Sequence, residues 1–355
     1  MTTAFAYAPP PGRVIFGDGA LGRVPEAAAE LGIRRALVVT TRSGAVVGRR
    51  ALASLGQQGA ALFDAAAMHT PVEVTERAMA LVRERAIDGV IAIGGGSAIG
   101  LAKALALRTD MPQIAVPTTY AGSEMTPILG QTEGGVKTTQ RTAKVQPEVV
   151  IYDPELTFGL PQAVGVTSGF NAIAHGVEAL YAREPNPILT LVSEEGVRAM
   201  AAALPRIVAA PDDREARGEA MSGAWLCGWA LAGGGTALHH KLCHVLGGAF
   251  DLPHAELHTI ILPHALAYNA PAVPDTMARL RRALGTNADP ALALQALSQK
   301  LGAPKSLAEI GMPADGIDRA LDLAFEAPYW NPRPLERDGL KGLLQRAYAG
   351  APPQP

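Results

Sequence analysis

The chain has 355 residues, which is enough for two domains of ordinary size. Hydrophobic residues make up 48% of the sequence and charged residues 18%, so a mainly disordered chain is excluded. Lys and Arg number 31 against 33 Asp and Glu, and the resulting net charge of −2 favours neither nucleic acid nor an anionic membrane as a partner.

Three features of the sequence bear on cellular location. The two cysteines, Cys227 and Cys243, lie in apolar helix-like sequence, so a disulfide scaffold is not expected and a reducing cytoplasm fits. The N-terminus lacks the basic region and the long apolar run of a signal peptide. Ala220–Leu238 carries no charge, but it contains five glycines and is interpreted as a buried core helix, not as a membrane span.

Short apolar runs alternate with helical patterns in the first part of the chain. A helix between Pro25 and Gly32 precedes the first run, and further helices are predicted near Arg49–Leu55 and after Pro71. Strands are predicted at Arg35–Thr40, Ala60–Phe63, Gly89–Ile93 and Gln113–Val116. Strands separated by helices of this length pair in parallel, so a doubly wound sheet is expected.

The pattern changes after the last of these strands. The polar, glycine-containing stretch Thr132–Thr142 predicts a hairpin or a flexible excursion, and Glu148–Tyr152 returns to strand character before Asp153-Pro154. Only helical patterns follow. We therefore predict an α/β dinucleotide-binding domain with a parallel sheet over 1–155 and an all-α domain, carrying the substrate and metal site, over 156–355.

A run of glycines separates one predicted strand from the next helix. The turn consists of Gly94, Gly95, Gly96 and Ser97. Consecutive glycines let the backbone approach an anion closely, and the amides at a helix start can then hold a pyrophosphate. The alternative is a tight turn without a ligand. The run lies on a late strand and lacks the acidic residue expected about 20 positions further on, so it differs from the standard dinucleotide fingerprint.

A second segment, Pro117–Glu124, adds to the nucleotide interpretation. It follows the next predicted strand with the sequence PTTYAGSE. Hydroxyls and small residues at the carboxyl end of a strand suit contacts to a ribose or to the nicotinamide amide. Together the two segments predict a nicotinamide dinucleotide.

Polar residues in two apolar helical segments share a spacing of four. Asn171 and His175 form one pair, and His240 and His244 form the other. Residues at i and i+4 lie on one helix face, so each pair can aim two side chains at one point. His254 follows ten residues after His244. A single histidine in an apolar helix is usually a hydrogen-bonded core residue, but two such pairs and His254 favour a shared functional site.

A metal is the obvious occupant of such a site, because imidazoles suit zinc and iron(II). Asn171 brings no negative charge, however, and three neutral imidazoles with an amide leave the double charge of the ion uncompensated. The sequence therefore leaves metal binding open. The helix that carries His240 is expected to end at Gly247-Gly248.

Other residues near these pairs have ordinary interpretations. His239 points about 100° away from His240 on a helix, so only one of the two faces the site squarely. Lys241 either attracts a carboxylated substrate or is a solvated lysine. Three more histidines are expected to be structural or rim residues: His69, His258 and His264.

In order and spacing, these motifs resemble the iron-containing alcohol dehydrogenase superfamily, which shares its architecture with glycerol dehydrogenase and dehydroquinate synthase. The resemblance covers nearly the whole chain and rests on Gly94–Ser97, Pro117–Glu124, Asp153-Pro154, Asn171–Glu178 and His240–His254. Within the superfamily the maleylacetate reductase family is the more similar, over PTTYAGSEMTPILGQ (117–131), SGFNAIAHGVEALY (168–181), LHHKLCHVL (238–246) and YWNPRP (329–334).

The resemblance implies a dehydroquinate synthase-like fold and an activity. The activity is the NADH- or NADPH-dependent reduction of the conjugated double bond of maleylacetate, a dicarboxylate, to 3-oxoadipate during the degradation of aromatic compounds. A cytoplasmic homodimer is expected. The main alternative is a metal-dependent alcohol dehydrogenase acting on a small alcohol or aldehyde. A dehydroquinate-synthase-like lyase and a non-catalytic nucleotide-binding module are further alternatives.

The resemblance also implies a ligand set. The superfamily holds a divalent metal (iron, zinc or manganese) with an aspartate, a histidine four residues on and two later histidines, which correspond to Asn171, His175, His240 and His254. His244 corresponds to a histidine that lies in the site without ligating. The asparagine is shared by the maleylacetate reductases, several of which are thought to act without a metal.

Roles in catalysis follow from the same match. His175, His240 and His254 are expected to surround the ketone and one carboxylate, directly or through a metal, and His244 is the candidate proton donor. Three further residues are expected to contact the substrate, the first two at its distal carboxylate: Lys241, Arg333 and Tyr120.

Cofactor contacts are implied at the two nucleotide segments and beyond them. Thr41 occupies the place of an aspartate in NAD-strict relatives. Because Thr41 carries no charge to repel a 2′-phosphate and Arg42 is adjacent, NADPH as well as NADH is expected to bind. The other implied contacts are Gly94–Ser97 at the pyrophosphate, Thr118, Thr119 and Ser123 at the nicotinamide end, and Lys144 near the nicotinamide ribose.

Overall fold

The computed structural model describes residues 5, 6, 8 and 12–355. These residues form two compact units: the first comprises 12–160, and the second comprises 161–355 together with residues 5, 6 and 8. The first unit alternates strands and helices, and the second is helical. The fold class predicted from the sequence is confirmed, and the observed division lies five residues beyond the predicted boundary.

A parallel sheet forms the centre of the first unit. The strands are β1 (Arg13–Phe16), β2 (Ala36–Val39), β3 (Gly59–Phe63), β4 (Gly89–Gly94), β5 (Gln113–Pro117), β6 (Ile128–Glu133), β7 (Val136–Arg141) and β8 (Val149–Tyr152). Six of them pair in the order β1-β8-β5-β4-β2-β3, and each pairing is parallel. β6 and β7 form a separate antiparallel hairpin.

Helices cover both faces of this sheet. They are α1 (Val24–Glu30), α2 (Ala45–Ser54), α3 (Val72–Glu84) and α4 (Gly96–Thr109). Successive residues of a strand point to opposite faces. Accordingly, Ala36 and Val38 of β2 pack into the core that includes α1 and α2, whereas Leu37 and Val39 pack with α3 and α4. This two-sided burial explains why the predicted strands read as continuous apolar runs.

The hairpin predicted within Thr132–Thr142 is present, although it begins earlier, at Ile128. Its turn is made by Gly134 and Gly135, whose φ angles of 56° and 81° suit glycine. The sequence did not predict β1. That strand has four residues, is exposed at both ends and lies at the sheet edge beside β8, and its apolar run of three residues, Val14–Phe16, is too short to indicate a buried strand.

The second unit is built from helices. They are α5 (Gln162–Leu180), α6 (Pro187–Ala209), α7 (Arg214–Gly234), α8 (Leu238–Phe250), α9 (His254–Asn269), α10 (Pro274–Ala283), α11 (Pro290–Lys300), α12 (Gly316–Phe325) and α13 (Arg337–Ala349). α5 is buried from Gly165 to Leu180. A Cβ on Gly176 would lie 2.8 Å from Cγ2 of Val197 on α6, so glycine is what lets these two helices pack closely.

Two predicted helix ends are wrong. The single helix expected over Ala220–Leu238 ends at Gly234, because Gly235 adopts a φ of 75° and α8 starts afresh at Leu238. The helix that carries His240 does not end at Gly247-Gly248 but continues to Phe250. No helix in the described part of the chain is long and apolar enough to cross a membrane.

Candidate active site

The predicted pyrophosphate turn lies where β4 meets α4. β4 ends at Gly94 and α4 begins at Gly96, so the N-cap residue, Gly95, has no side chain to cap the first helix amides. A Cβ on Gly95 would lie 2.9 Å from Oγ1 and Cγ2 of Thr119. The backbone N–H of Thr118 donates to the carbonyl of Gly94 at 3.2 Å. The two segments that the sequence assigned to the dinucleotide are therefore in contact.

The other predicted cofactor residues are spread over the first unit. Thr41 follows β2, and its Oγ1 lies 3.0 Å from Oγ of Ser43. Oγ of Ser123 is buried and has no hydrogen-bond partner among the described residues. Tyr120, which is expected to contact the substrate, is fully buried in this unit.

Lys144 lies away from the glycine turn, contrary to its expected place near the nicotinamide ribose. Its Nζ is 3.5 Å from Oδ1 of Asp110, the residue that caps the C-terminal end of α4. The glycine turn lies at the other end of this 14-residue helix, which at 1.5 Å per residue is about 20 Å away. The sequence match gave no information on which end of α4 this lysine approaches.

Lys103 on α4 makes contacts that the sequence did not predict. Its buried Nζ donates to the carbonyl oxygens of Ser123 at 2.6 Å, Thr126 at 2.6 Å and Ile128 at 3.0 Å. Three such acceptors need three N–H donors, which an ammonium provides and a neutral amine does not. Burial lowers the pKa of Lys103 to about 7. The side chain ties the segment after β5 to the helix that begins at the glycine turn.

Six histidines of the second unit form one group, the histidine cluster. Neighbouring ring centroids in it lie between 4.3 and 6.3 Å apart. Helices α5, α8 and α9 supply the rings: His175, His239, His240, His244, His254 and His258. The structure thus brings together every histidine that the sequence assigned to a shared site.

Two members of the cluster, His258 and His239, were not expected from the sequence to belong to it. His258, expected to be a structural or rim residue, has its Nδ1 2.9 Å from Nε2 of His239. His239, expected to point away from the site, is joined to the cluster through this contact. His254 and His258 are four residues apart on α9, so the spacing that marked the other pairs was also present here.

A set of nitrogen and oxygen atoms in the cluster lacks partners. Ligand nitrogens of His175, His240 and His258 lie within 4.8 Å of one another. Nδ1 of His175, Nε2 of His240 and His258, and Oδ1 of Asn171 have no hydrogen-bond partner among the described residues. Buried polar atoms are normally paired, so these side chains suit a substrate oxygen or a divalent transition metal. The ligand set implied by the sequence resemblance contains His254 and not His258. The ring of His254 lies beside that of His258, with 4.3 Å between the two centroids.

Burial keeps three of the rings neutral. Desolvation, and after it the neighbouring imidazoles, lower the pKa of His175, His239 and His258 well below the usual value. A neutral imidazole offers one lone pair to a metal and one N–H to an oxygen. These three rings therefore act as ligands or hydrogen-bond donors and not as cations.

Glu178 supplies a negative charge that the sequence analysis overlooked. The residue is 1% exposed, and its Oε2 lies 2.5 Å from Nδ1 of His240. Its oxygens also accept from the backbone N–H of Ala237 at 2.9 Å and of His239 at 2.8 Å. A carboxylate behind an imidazole ligand raises its basicity and offsets part of a metal's charge. The residues present therefore fit a divalent metal despite the neutral amide of Asn171.

The remaining histidines differ in exposure. His244 is exposed at the edge of the cluster, with its ring centroid 6.3 Å from that of His240. His264 is buried on α9, and burial lowers its pKa to about 4, in keeping with a structural role. His69 lies in the first unit.

Two predicted substrate residues lie near the segment 329–334. Nζ of Lys241 is 5.4 Å from the ring centre of Tyr329. The guanidinium of Arg333 stacks on Tyr268 at 4.4 Å, and its NH1 donates to the carbonyl oxygen of that residue at 2.7 Å. Arg333 is thus already engaged within the fold, whereas the described contact of the Lys241 ammonium is with an aromatic face.

Comparison with known proteins identifies the class of protein. Residues 11–154 match the family model described as iron-containing alcohol dehydrogenase, and residues 165–348 match the C-terminal model of the Fe-containing alcohol dehydrogenase family. The chain belongs to the iron-containing alcohol dehydrogenase family, as the sequence resemblance implied.

Individual relatives are similar over their full length. A maleylacetate reductase of Sphingobium indicum is 53% identical over 349 residues, which cover 98% of this chain and 99% of that protein. The crystal structure of a maleylacetate reductase from Agrobacterium tumefaciens has a TM-score of 0.95 at 50% identity, covering 99% of this chain and all of that one. An iron-containing alcohol dehydrogenase from Corynebacterium glutamicum has a TM-score of 0.92 at 40% identity, with 98% of each chain covered.

Proposed function

We propose that this chain is a maleylacetate reductase that uses NADH or NADPH to convert maleylacetate to 3-oxoadipate. The observation that carries the proposal is the full-length similarity to proteins of that name, at 53% and 50% identity. The histidine cluster supports it, because reduction of a double bond conjugated with a ketone requires groups that stabilise an oxyanion.

The reaction sets three tasks for the protein. When bound, the reduced nicotinamide supplies the hydride that adds to the alkene carbon remote from the ketone. The electron pair of the double bond then shifts toward the ketone oxygen as an enolate, and a proton added to the carbon next to the ketone gives 3-oxoadipate. The chain's own residues must stabilise the oxyanion, deliver this proton and hold two carboxylates.

The buried part of the cluster performs the first task. His175 and His258 are neutral through burial, and each donates an N–H toward the ketone end of the substrate. These hydrogen bonds strengthen as negative charge develops on the oxygen, which is what catalysis requires. His240 and His254 complete the surroundings of the ketone and of the adjacent carboxylate.

The exposed edge of the cluster performs the other two tasks. His244 is exposed, so it can recover a proton from water after each turnover, and we assign it as the proton donor. Lys241, with its ammonium 5.4 Å from the Tyr329 ring, holds the distal carboxylate. Arg333 contributes through the N–H groups that its contact with Tyr268 leaves over.

The same side chains would hold a divalent metal. His175, His240 and His258 are the residues that come together for it, with the amide oxygen of Asn171 as a further donor. An iron, zinc or manganese ion, when bound, supplies Lewis-acid stabilisation of the ketone oxygen. Without the ion, N–H groups of the neutral imidazoles would stabilise the same oxyanion through hydrogen bonds. A nitrogen that ligates the ion carries its lone pair instead, so the two modes use opposite tautomers of these rings.

The cofactor, location and assembly complete the proposal. Thr41 has no charge to repel a 2′-phosphate and Arg42 is exposed beside it, which supports use of NADPH as well as NADH. Cys227 and Cys243 are both outside any disulfide, in keeping with a cytoplasmic enzyme. A homodimer and a place in the degradation of aromatic compounds follow the family resemblance.

An absorbance assay tests the proposal. Loss of NADH is followed with freshly made maleylacetate, then with NADPH, and both runs are repeated after exhaustive chelation. Oxidation of both cofactors with one 3-oxoadipate formed per cofactor supports the proposal. No oxidation with maleylacetate contradicts it, and failure with NADPH alone contradicts the assignment of Thr41 and Arg42.

A metal-dependent alcohol dehydrogenase is the second candidate. The fit of three histidines to a metal and the similarity to the Corynebacterium glutamicum enzyme favour it. Such an enzyme would oxidise small alcohols with NAD⁺ and lose that activity to a chelator. The two candidates are separated by the ratio of maleylacetate reduction to alcohol oxidation in one preparation.

A further inference from the structure

Glu178 is a buried carboxylate with three N–H contacts in the second unit. Its Oε1 accepts from the backbone N–H of His239, and its Oε2 accepts from that of Ala237 while lying 2.5 Å from Nδ1 of His240. The residue is 1% exposed. A carboxylate removed from water to this degree persists only where its contacts compensate for the lost hydration.

The backbone contacts fix where α8 begins. This helix starts at Leu238, and its preceding residue, Ala237, provides no side-chain cap. Glu178 caps the helix instead, from a different helix, α5. Because the capped turn carries His239 and His240, the position of Glu178 sets the position of both rings relative to α5.

The third contact determines which nitrogen of His240 is available. The two backbone amides can only donate, so both carboxylate oxygens act as acceptors and Nδ1 of His240 is the donor. The hydrogen is then on Nδ1 and the lone pair is on Nε2, the buried atom without a partner among the described residues. The opposite tautomer would bring two lone pairs together at 2.5 Å.

We propose that Glu178 is the positioning residue of the active site: it holds His240 as the Nδ1–H tautomer, with the lone pair of Nε2 available to a metal ion or to a hydrogen-bond donor. The effect of this tautomer on turnover rests on the proposed function. The assignment of the tautomer rests on the contacts of Glu178 alone. Glu178 is not expected to touch substrate or cofactor and acts through His240. Outer partners of this kind typically change activity or metal affinity by about 10–100-fold when they are replaced.

Glutamine at this position is the informative substitution. In Glu178→Gln one carboxylate oxygen becomes an NH₂ group, which must then face the backbone N–H of either Ala237 or His239. If the NH₂ group lies beside Ala237, it also donates to Nδ1 of His240, and the hydrogen of that ring is then on Nε2. Glu178→Asp keeps the negative charge, and Glu194→Gln is a matched control, since Glu194 forms ion pairs with Arg279 and Arg282 on the helical surface.

The experiment combines nuclear magnetic resonance with kinetics. Histidine ¹⁵N spectra on the alkaline side of neutrality are assigned by loss of the His240 signals in His240→Gln. We expect Nδ1–H in the unaltered protein and in Glu178→Asp. In Glu178→Gln we expect hydrogen on Nε2 where the NH₂ group faces Ala237, and Nδ1–H with a displaced start of α8 where it faces His239. We also expect kcat to fall by about 10-fold or more in Glu178→Gln, while the Kd of NADH stays the same. The control variant Glu194→Gln should keep the kcat of the unaltered enzyme.

Two results would overturn the inference. The first is hydrogen on Nε2 alone in the unaltered protein, which decides the matter even where Glu178→Gln does not fold. The second is a folded Glu178→Gln variant with the same tautomer and the same kcat as the unaltered protein. Failure of the proposed function is distinguishable, because it shows as no maleylacetate reduction by the unaltered enzyme while the spectra still report the tautomer.

Discussion

Nε2 of His239 lies 2.9 Å from Nδ1 of His258. Both rings are fully buried, so this hydrogen bond couples the tautomers of the two residues. It engages Nδ1 of His258 and leaves Nε2 of that ring for the group formed with His175 and His240. His258 therefore enters the site through one nitrogen while the other is held by its neighbour.

Replacement of His258 separates these two contacts. In His258→Asn the side-chain amide lies near the position of Nδ1, whereas in His258→Gln the longer side chain places its amide near the position of Nε2. We expect kcat for maleylacetate to fall by about 10–100-fold in His258→Asn and by less in His258→Gln. His69→Gln, in the first unit, is the control and should keep full activity. Equal activity of His258→Asn and the unaltered enzyme would remove His258 from the site.

Replacement of His244 tests the proton donor. His244→Ala should lower kcat by about 10²-fold or more, because general acid catalysis contributes this much. The Kd of NADH should stay within about two-fold, since His244 contributes to proton delivery and not to cofactor affinity. Stopped-flow measurement of hydride transfer and equilibrium NADH titration check the two parts. Unchanged turnover would exclude His244 from the mechanism.

Much of the first unit could be predicted because its strands are buried on both faces. Continuous apolar runs such as Gly89–Ile93 arise from that burial. Edge strand β1 has only three consecutive apolar residues, Val14–Phe16, and half of its residues are exposed, so it was not recognised. The hairpin was placed by its glycines, but its first residues, from Ile128, are partly buried and did not look like a hairpin.

The histidine cluster was only partly predictable. Spacing of four along one helix identified Asn171 with His175 and His240 with His244, because such pairs share a face. Spacing cannot show which faces of α8 and α9 meet, so His239 and His258 were assigned elsewhere. In the sequence Glu178 does not differ from any other helical glutamate. Its role depends on the backbone N–H groups at the start of α8, which donate to its carboxylate.

Lys103 predicts a pH dependence of cofactor binding. Its pKa is lowered to about 7 by burial, with the carboxyl of Glu124 opposing this shift. Below this pH the ammonium serves three carbonyls; above it the amine has one N–H too few, and the segment after β5 loosens. We expect the Kd of NADH to rise by about 10-fold as the pH increases through 7, because about this factor corresponds to the free energy of one hydrogen bond to a charged group.

Two variants assign this pH dependence. Lys103→Met removes the ammonium and should bind NADH weakly at every pH. Glu124, whose pKa is raised by burial, is the other titrating neighbour, and Tyr152 beside it stays protonated because burial raises its pKa well above the usual value. Glu124→Gln should retain the dependence on pH. The same pH profile in Lys103→Met would contradict the role of Lys103.

Gly95 provides a steric test of the nucleotide turn. A Cβ in Gly95→Ala would meet Thr119 at 2.9 Å, so one of the two nucleotide segments must shift. We expect the KM for NADH to rise by about 10-fold, corresponding to about 1.4 kcal/mol, with little change in thermal stability. Gly22→Ala is the matched control, because its Cβ would have no neighbour within 4 Å. An unaltered KM in Gly95→Ala would place the cofactor elsewhere.

The most direct test follows the hydride itself. Maleylacetate is reduced with NADH carrying deuterium at the transferred position, and the product is examined by mass spectrometry and nuclear magnetic resonance. We predict 3-oxoadipate with one deuterium on the former alkene carbon remote from the ketone and with the ketone intact. A product reduced at the ketone to an alcohol, or recovery of unchanged maleylacetate, would contradict it.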